Sequence, residues 1–381
     1  MMYSLRDYGD MIADRERFEG YRKAISKTVR PGDVVLEIGC GPGVFALLAC
    51  YAGALKVYAI ESDEIVHHAR ELVAANGLTE RFEFLHGDSR KVQLSERVDV
   101  IISDLRGSLP FFDHAITSVE DARNRFLAPQ GTMIPGRDIL KASIIDASEY
   151  YALLISPWQT LESGVDLSLS RELILNGCYT ANFKADQLLT EPQDWCFLDY
   201  RAGAKASCAA DLIFKAARTG TAHGICVWFE TELADGIGFS TAPNDTRSVY
   251  GQCFFPWPQA VLLEIGQEIH VSLHANLVGD DYIWRWETRI PGNGKDPDRF
   301  FQQSTFQGAN FTPQSLRRRA ADFVPSLSEE GQANRWMLQA IDGKTSLQDI
   351  AQAAAKKFPQ IFPRWEDALH RAAELAIQFS R

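Results

Sequence analysis

Residues 33–140 alternate short, almost wholly apolar runs with stretches of helical period. DVVLEIG (33–39), KVYAIE (56–61), FEFLHGD (82–88) and VDVIISD (98–104) have too few polar positions for a half-wet strand. They predict strands buried on both faces. Helical stretches at 44–53, 63–75 and 113–126 lie between them. Such alternation predicts a parallel sheet with crossover helices, an α/β, Rossmann-like arrangement. Residues 3–28 read as one amphipathic helix ahead of the first strand.

After about residue 140 the period shortens to two. EIHVSLHANLV sets Ile269, Val271, Leu273, Ala275 and Leu277 against His270, Ser272, His274 and Asn276. HGICVWFETEL and YIWRWETRI read as further strands, so 141–312 is expected to be an antiparallel barrel or sandwich. The remainder, 313–381, returns to helical period. TSLQDIAQAAAKKF opens on a loose capping box, Ser346 with Asp349. In RWEDALHRAAELAIQF a stripe of Trp365, Leu369, Ala372, Ala376 and Phe379 is expected to face a core.

Length and composition fit this three-part division. The chain has 381 residues, 46% hydrophobic and 23% charged, and it contains no apolar run near the roughly 20 residues of a membrane span. The polar start lacks the regions of a signal peptide, so a cytoplasmic protein without a membrane partner is expected. Seven cysteines without a CxxC pair and eight scattered histidines predict neither a disulfide framework nor a metal site. His270 and His274 read as surface residues. A net charge of −11 argues against nucleic acid as a partner.

The chemistry gathers at the carboxyl ends of the predicted parallel strands. VLEIGCGPGVF carries glycines at 39, 41 and 43, with Glu37 ahead of them, between a strand and a helix. Without Cβ atoms a ligand can lie against such a turn. Glu61 ends the second strand, where a carboxylate can accept both ribose hydroxyls, and Asp88 ends the third, where an adenine edge would be met. With the adjoining Cys40, Ser62 and Ser89, these residues form a candidate site for S-adenosylmethionine. The alternatives are a structural turn or a nucleotide-binding domain.

SDLRGSLPFFD (103–113) follows the fourth strand and carries Asp104 and Asp113, with Arg106 between them. Such a loop is a solvated connection, or a clamp for a cationic group. Asp104 can instead cap the turn after its strand, and Asp113 can open the next helix. Arg106 can pair with either aspartate or meet an anionic part of a substrate.

With these motifs in place, the chain resembles the protein arginine methyltransferases over residues 3–310, about four-fifths of its length. The resemblance rests on MIADRERFEGYRKAI (11–25), the glycine motif, FLAPQGTMIPGR (126–137) and GFSTAP (238–243). It implies a methyltransferase domain with an N-terminal capping helix over 1–140 and a β-barrel substrate domain over 141–312. A helical module, 313–381, would follow. By the same resemblance Met11 packs on the sulfur end of S-adenosylmethionine and Arg17 pairs with its carboxylate. Asp104 and Asp113 fall where the family has two glutamates, each shorter by one methylene, or about 1.5 Å. Ser248, Val249 and Tyr250 replace a Thr-His-Trp loop, with Tyr250 offering an aromatic wall for substrate or a barrel core aromatic.

The expected activity is methyl transfer to a protein or peptide nitrogen, an arginine guanidinium being one candidate, with Asp104 and Asp113 orienting it. A small natural product as acceptor, or a cofactor-binding scaffold without catalysis, are the alternatives. The family dimerises through an arm in its barrel domain, so a homodimer is expected; no segment of 150–200 stands out as that arm. Residues 325–381 are similar to small modules that bind leader peptides in ribosomal-peptide modification, with a helical cap or dimer contact as the other reading.

Overall fold

A computed structural model describes residues 3–159, 161–244, 246–292, 297–309 and 312–380. The chain divides into two compact units, 1–309 and 310–381.

In the first unit the apolar runs form a five-stranded parallel sheet: β1 (Val34–Ile38), β2 (Lys56–Glu61), β3 (Phe82–His86), β4 (Val98–Ser103) and β5 (Leu127–Ile134), in the order β3-β2-β1-β4-β5. Val35, Leu36, Val57, Tyr58, Ile101 and Ile102 are fully buried, as strands covered on both faces require. The strand order reverses between β1 and β4, where open α/β sheets bind ligands beyond the strand carboxyl ends. The glycine turn follows β1 and Asp104 follows β4, so the predicted cofactor and acceptor motifs meet at this point.

The helix expected over 3–28 is two helices, α1 (Leu5–Ala13) and α2 (Arg15–Thr28). Asp14 between them is extended, and its carboxylate accepts the backbone N–H of Arg17. This N-cap, with Glu16 in the first turn, outweighs the continuing apolar period. Helices α3 (Val44–Ala52), α4 (Ile65–Ala75) and α5 (Ala115–Phe126) complete the parallel layer.

The antiparallel part begins at β6 (Arg137–Ile145) and forms two sheets. One joins β7 (Tyr179–Ala181), β12 (Gln252–Leu263), β10 (Gly220–Ala234), β6 and β8 (Gln193–Asp199), with β11 (Ile237–Ser240) on β10. The other joins β15 (Arg299–Ser304), β14 (Asp281–Ile290), β13 (Glu268–Val278) and β9 (Cys208–Lys215). The alternation expected of β13 is present, with Ile269, Val271, Leu273 and Ala275 buried. Aromatic contacts tie the two sheets into one core: Phe255 on β12 lies 5.0 Å from Trp284 and 5.3 Å from Trp286, both on β14. Among the described residues no helix is long and apolar enough to cross a membrane.

The second unit packs helices Glu329–Ala340, Leu347–Lys357 and Trp365–Phe379 around Met337, Ile350, Ala354, Ala372 and Leu375. Ser346 caps the middle helix as expected. The expected stripe of the last helix holds for Trp365, Leu369 and Ala372, which face the core together with Ala368 and Leu375, while Phe379 at its end is 60% exposed. This unit contains no strand among its described residues.

Trp286 is fully buried, and its indole N–H donates to Gln303 Oε1 at 2.9 Å. Trp286→Ala should cost about 3–5 kcal/mol. Chemical denaturation checks this, and an unchanged midpoint would contradict the core described.

Candidate active site

Gly39, Gly41 and Gly43 all have positive φ, at 68°, 51° and 79°. A Cβ on Gly41 would lie 2.6 Å from Cε1 of Tyr8 on α1, so with positive φ at all three positions the turn favours glycine and Gly41 has no room beside Tyr8. Leu105 covers Gly39 in the same way. The carbonyl of Ile60 accepts the N–H groups of Gly39 and Cys40, tying the turn to β2. Burial pushes the Cys40 thiol well up, so it stays protonated.

Glu61 is buried, and it accepts N–H groups from Gly41 at 2.8 Å, Ser62 at 2.8 Å and Asp63 at 2.9 Å. Ser62 Oγ also lies 3.5 Å from Oε1, whereas Oε2 accepts from Gly41 alone among the described residues, which leaves it a site for one ligand hydroxyl, not the two expected. This held carboxylate beside a backbone stripped of Cβ atoms fits the adenosyl part of S-adenosylmethionine. Asp88 is turned onto Arg90, which donates to it from Nε at 3.0 Å and Nη2 at 2.8 Å. These bonds bring its carboxyl down to about 2. Ser89 is buried and its carbonyl accepts from Arg125.

Asp104 is the centre of the second half of the site, its side chain 8% exposed. Its Oδ2 accepts from Arg17 Nε at 2.7 Å and Tyr250 Oη at 2.6 Å, with Arg17 Nη2 at 2.6 Å. Its Oδ1 accepts from Arg106 Nε at 3.1 Å, with Arg106 Nη2 also at 3.1 Å. Burial alone would raise this carboxyl, but the two guanidiniums and the Tyr250 hydroxyl outweigh it and hold Asp104 below the usual range. Arg17 also donates to the Met11 carbonyl at 3.0 Å, which joins the end of α1 to the start of α2. Asp14 accepts the backbone N–H of Val249 at 3.0 Å, drawing the 248–250 loop to the same place.

Pairing with an aspartate is thus the role Arg106 has here, of the two open to it. Tyr250 is buried, and its hydroxyl reaches the site. Asp113 lies apart from this cluster: its side chain is 65% exposed, at positive φ, 3.8 Å from His114 Nε2. It shares no hydrogen-bond or ion-pair partner with Asp104. Sequence reasoning missed three members. Asp138 is fully buried and accepts from Arg106 at 3.0 Å and from Tyr200 at 2.8 Å. Tyr21 and Thr231 accept the remaining Arg106 donors. A lone aspartate in the apolar strand RDILKASII was the available signal. Glu64, His67 and His86 also lie together, all three exposed, at the start of α4 and the end of β3.

The sheet order, the glycine turn after β1 and the held carboxylate after β2 define an S-adenosylmethionine-dependent methyltransferase. The profile of the arginine methyltransferase oligomerization subdomain matches residues 138–288, and that of the TRM5/TYW2 methyltransferase domain matches residues 12–123. Probable protein arginine N-methyltransferase 6.1 of Oryza sativa subsp. indica is 30% identical over 300 residues, 69% of this chain and 79% of that protein. Protein arginine N-methyltransferase 6 of Danio rerio is 31% identical over 275 residues, 66% of this chain and 74% of that one. A third relative, the probable protein arginine N-methyltransferase 6 of Arabidopsis thaliana, is 31% identical, and 57% of its length is matched. The chain belongs to the protein arginine methyltransferase family. Solved structures agree in fold. The Trypanosoma brucei PRMT1 enzyme-prozyme complex with AdoHcy superposes with a TM-score of 0.72 at 21% identity, over 80% of this chain and 98% of that one. Arabidopsis thaliana protein arginine methyltransferase 10 gives 0.69 at 23% identity, over 79% and 97%.

Glu37 is 4% exposed and accepts the N–H of Ala46 at 2.7 Å. Burial, with Glu61 nearby, raises its carboxyl well above the ordinary value despite that bond. The folded state therefore binds a proton that the unfolded chain releases above about pH 4.3, and stability is lost as pH rises from there. Glu37→Gln removes this loss, so the stability of the variant relative to the parent should improve between pH 4 and pH 8. A difference that stays constant in melts across that range would show Glu37 to be ionised in the fold.

Proposed function

We propose that this chain methylates a nitrogen of a protein or peptide, with Asp104 as the carboxylate that orients the acceptor. The observation that carries this reading is the grip of Asp104 Oδ2 on a guanidinium, that of Arg17, at the switch point of the sheet. A carboxylate that holds one nitrogen cation there can hold another. The relatives, named for arginine, support nitrogen as the nucleophile. S-adenosylmethionine, when bound, supplies an electrophilic methyl group: its C–S bond breaks with the electron pair kept by sulfur, a C–N bond forms, and the acceptor nitrogen gives a proton to solvent.

The chain's own residues prepare that transfer. Glu61 and the glycine turn seat the adenosine, with Cys40, Ser62, Asp88 and Ser89 around it. Arg17 leaves Asp104 for the cofactor's carboxylate, beside Met11, and this frees Oδ2 for the acceptor. Tyr250 keeps Oδ2 oriented through its hydroxyl. Asp113, on the solvent side of the same loop, is assigned the outer end of the acceptor site. Orientation and electrostatics then supply most of the acceleration.

We also assign the segment between β6 and β7 to a homodimer contact. Leu153 and Leu169 are each 72% exposed there, and Val165 is 51% exposed. This segment falls within the stretch matched by the oligomerization subdomain. Leu153→Asp with Leu169→Asp should convert a sedimenting dimer to a monomer; a parent that sediments as a monomer removes the assignment.

Asp104→Asn should lower kcat by about 10²–10³, the cost of losing one aligned electrostatic partner. Calorimetry should show its affinity for S-adenosylhomocysteine retained. An undiminished kcat would refute the role of Asp104, and a parent that binds no S-adenosylhomocysteine would refute the cofactor site.

A further inference from the structure

Two histidines far apart in sequence meet in the fold, on the surface beside the turn that holds Glu61. His67 stands in the first turn of α4, and His86 ends β3. Their rings lie edge to face, with 5.8 Å between centroids. His67 Nε2 is 3.1 Å from Glu64 Oε2, and His86 Nε2 is 3.3 Å from the Ser62 carbonyl oxygen. Glu64, His67 and His86 each offer a ligand atom within 4.8 Å of the others. An ion pair along a helix accounts for Glu64 with His67. It does not account for His86, which arrives from another element.

We infer that Glu64, His67 and His86 form a binding site for one divalent transition-metal ion of the zinc type, with the Ser62 carbonyl as a fourth donor. Two imidazoles with a carboxylate and a carbonyl suit zinc, cobalt or nickel, whereas magnesium and calcium take oxygen ligands. Two ligands each about 2.0–2.1 Å from one ion lie about 2.8–3.4 Å apart. The Glu64–His67 and His86–Ser62 pairs already stand at that separation. The side chains of Glu64 and His67 are 67% and 62% exposed, so they are free to turn and close the two pairs onto one ion. The amino end of α4 disfavours a cation, and the charge of Glu64 offsets this. A bound ion clips the end of β3 to the start of α4, across the turn whose Ser62 and Asp63 N–H groups hold Glu61.

The test uses the full chain, freed of metal by a chelator, with cobalt(II) as the probe. Titration should give one ion per chain, with a visible spectrum of nitrogen and oxygen ligation. A thiolate-to-cobalt charge-transfer band should be absent, which separates this site from the seven cysteines. Because the fold brings the ligands together, saturating cobalt should also raise the melting temperature. His67→Gln combined with His86→Gln should weaken binding by about tenfold or more and abolish that rise. Both histidines are exposed, so the metal-free double variant should melt with the parent. Should it melt lower, Glu64→Gln, whose side chain makes no capping bond, takes its place with the same expected loss. Cobalt that binds the variant as tightly as the parent is adventitious, and that result overturns the inference. A parent that binds no cobalt, or binds it through thiolate, overturns it as well.

Discussion

Asp104 stands between two guanidiniums, and the arrangement of the first unit follows from holding them there. Arg17 comes from α2, Arg106 from the loop after β4, Asp138 from β6, Thr231 from β10 and Tyr250 from the turn before β12. Two charges of each sign meet in a volume from which water is almost excluded. Any one of them left alone would cost several kcal/mol, so the parallel sheet, the N-terminal helices and the first antiparallel sheet are bound to one relative placement. Buried ion pairs add little net stability compared with apolar packing. Their use here is positional, because they fix a carboxylate at the switch point of the sheet.

The cofactor half of the site is built differently, from backbone. Glu61 is oriented by three peptide N–H groups, and the glycine turn is open because side chains are missing, not because charges balance. Tyr8 and Leu105 lie over that turn, one from α1 and one from the loop after β4. The two halves therefore meet through side chains that a ligand can displace. Arg106, bonded to Asp104, Asp138, Thr231 and Tyr21, is the fixed part of the charged network.

These differences decide what could be read from the sequence. Parallel strands appear as continuous apolar runs, and β13 appears as strict alternation, because both patterns are local consequences of burial. The glycine turn, Glu61 and Asp104 are legible for a related reason: each sits at a strand end whose chemistry is set by its position in the sheet. Asp14 was hidden because the apolar period runs through it, although its N-cap splits the helix. The stripe of the last helix was legible as far as Ala372, and fails at the helix end, where Phe379 is exposed. Asp138 was legible only as a lone aspartate in an apolar strand, with nothing to name its partner. It lies 32 positions from Arg106, on a strand that reads as apolar, and only the arrival of the loop after β4 against β6 gives it a role.

The network also couples the two halves of the site. On the proposed reading, Arg17 neutralises Asp104 until the carboxylate of the cofactor takes it away, and Oδ2 then has an unanswered lone pair. An acceptor nitrogen is held more tightly after the cofactor than before it. Linkage makes this reciprocal, so a bound acceptor that keeps Arg17 away from Asp104 favours the cofactor by the same factor. Arg106 cannot take part in that exchange, because its donors are committed to Asp104, Asp138, Thr231 and Tyr21. The two arginines on one carboxylate thus divide the work. Arg17 yields its place and so links the ligands, while Arg106 keeps its own and so fixes the carboxylate through Oδ1.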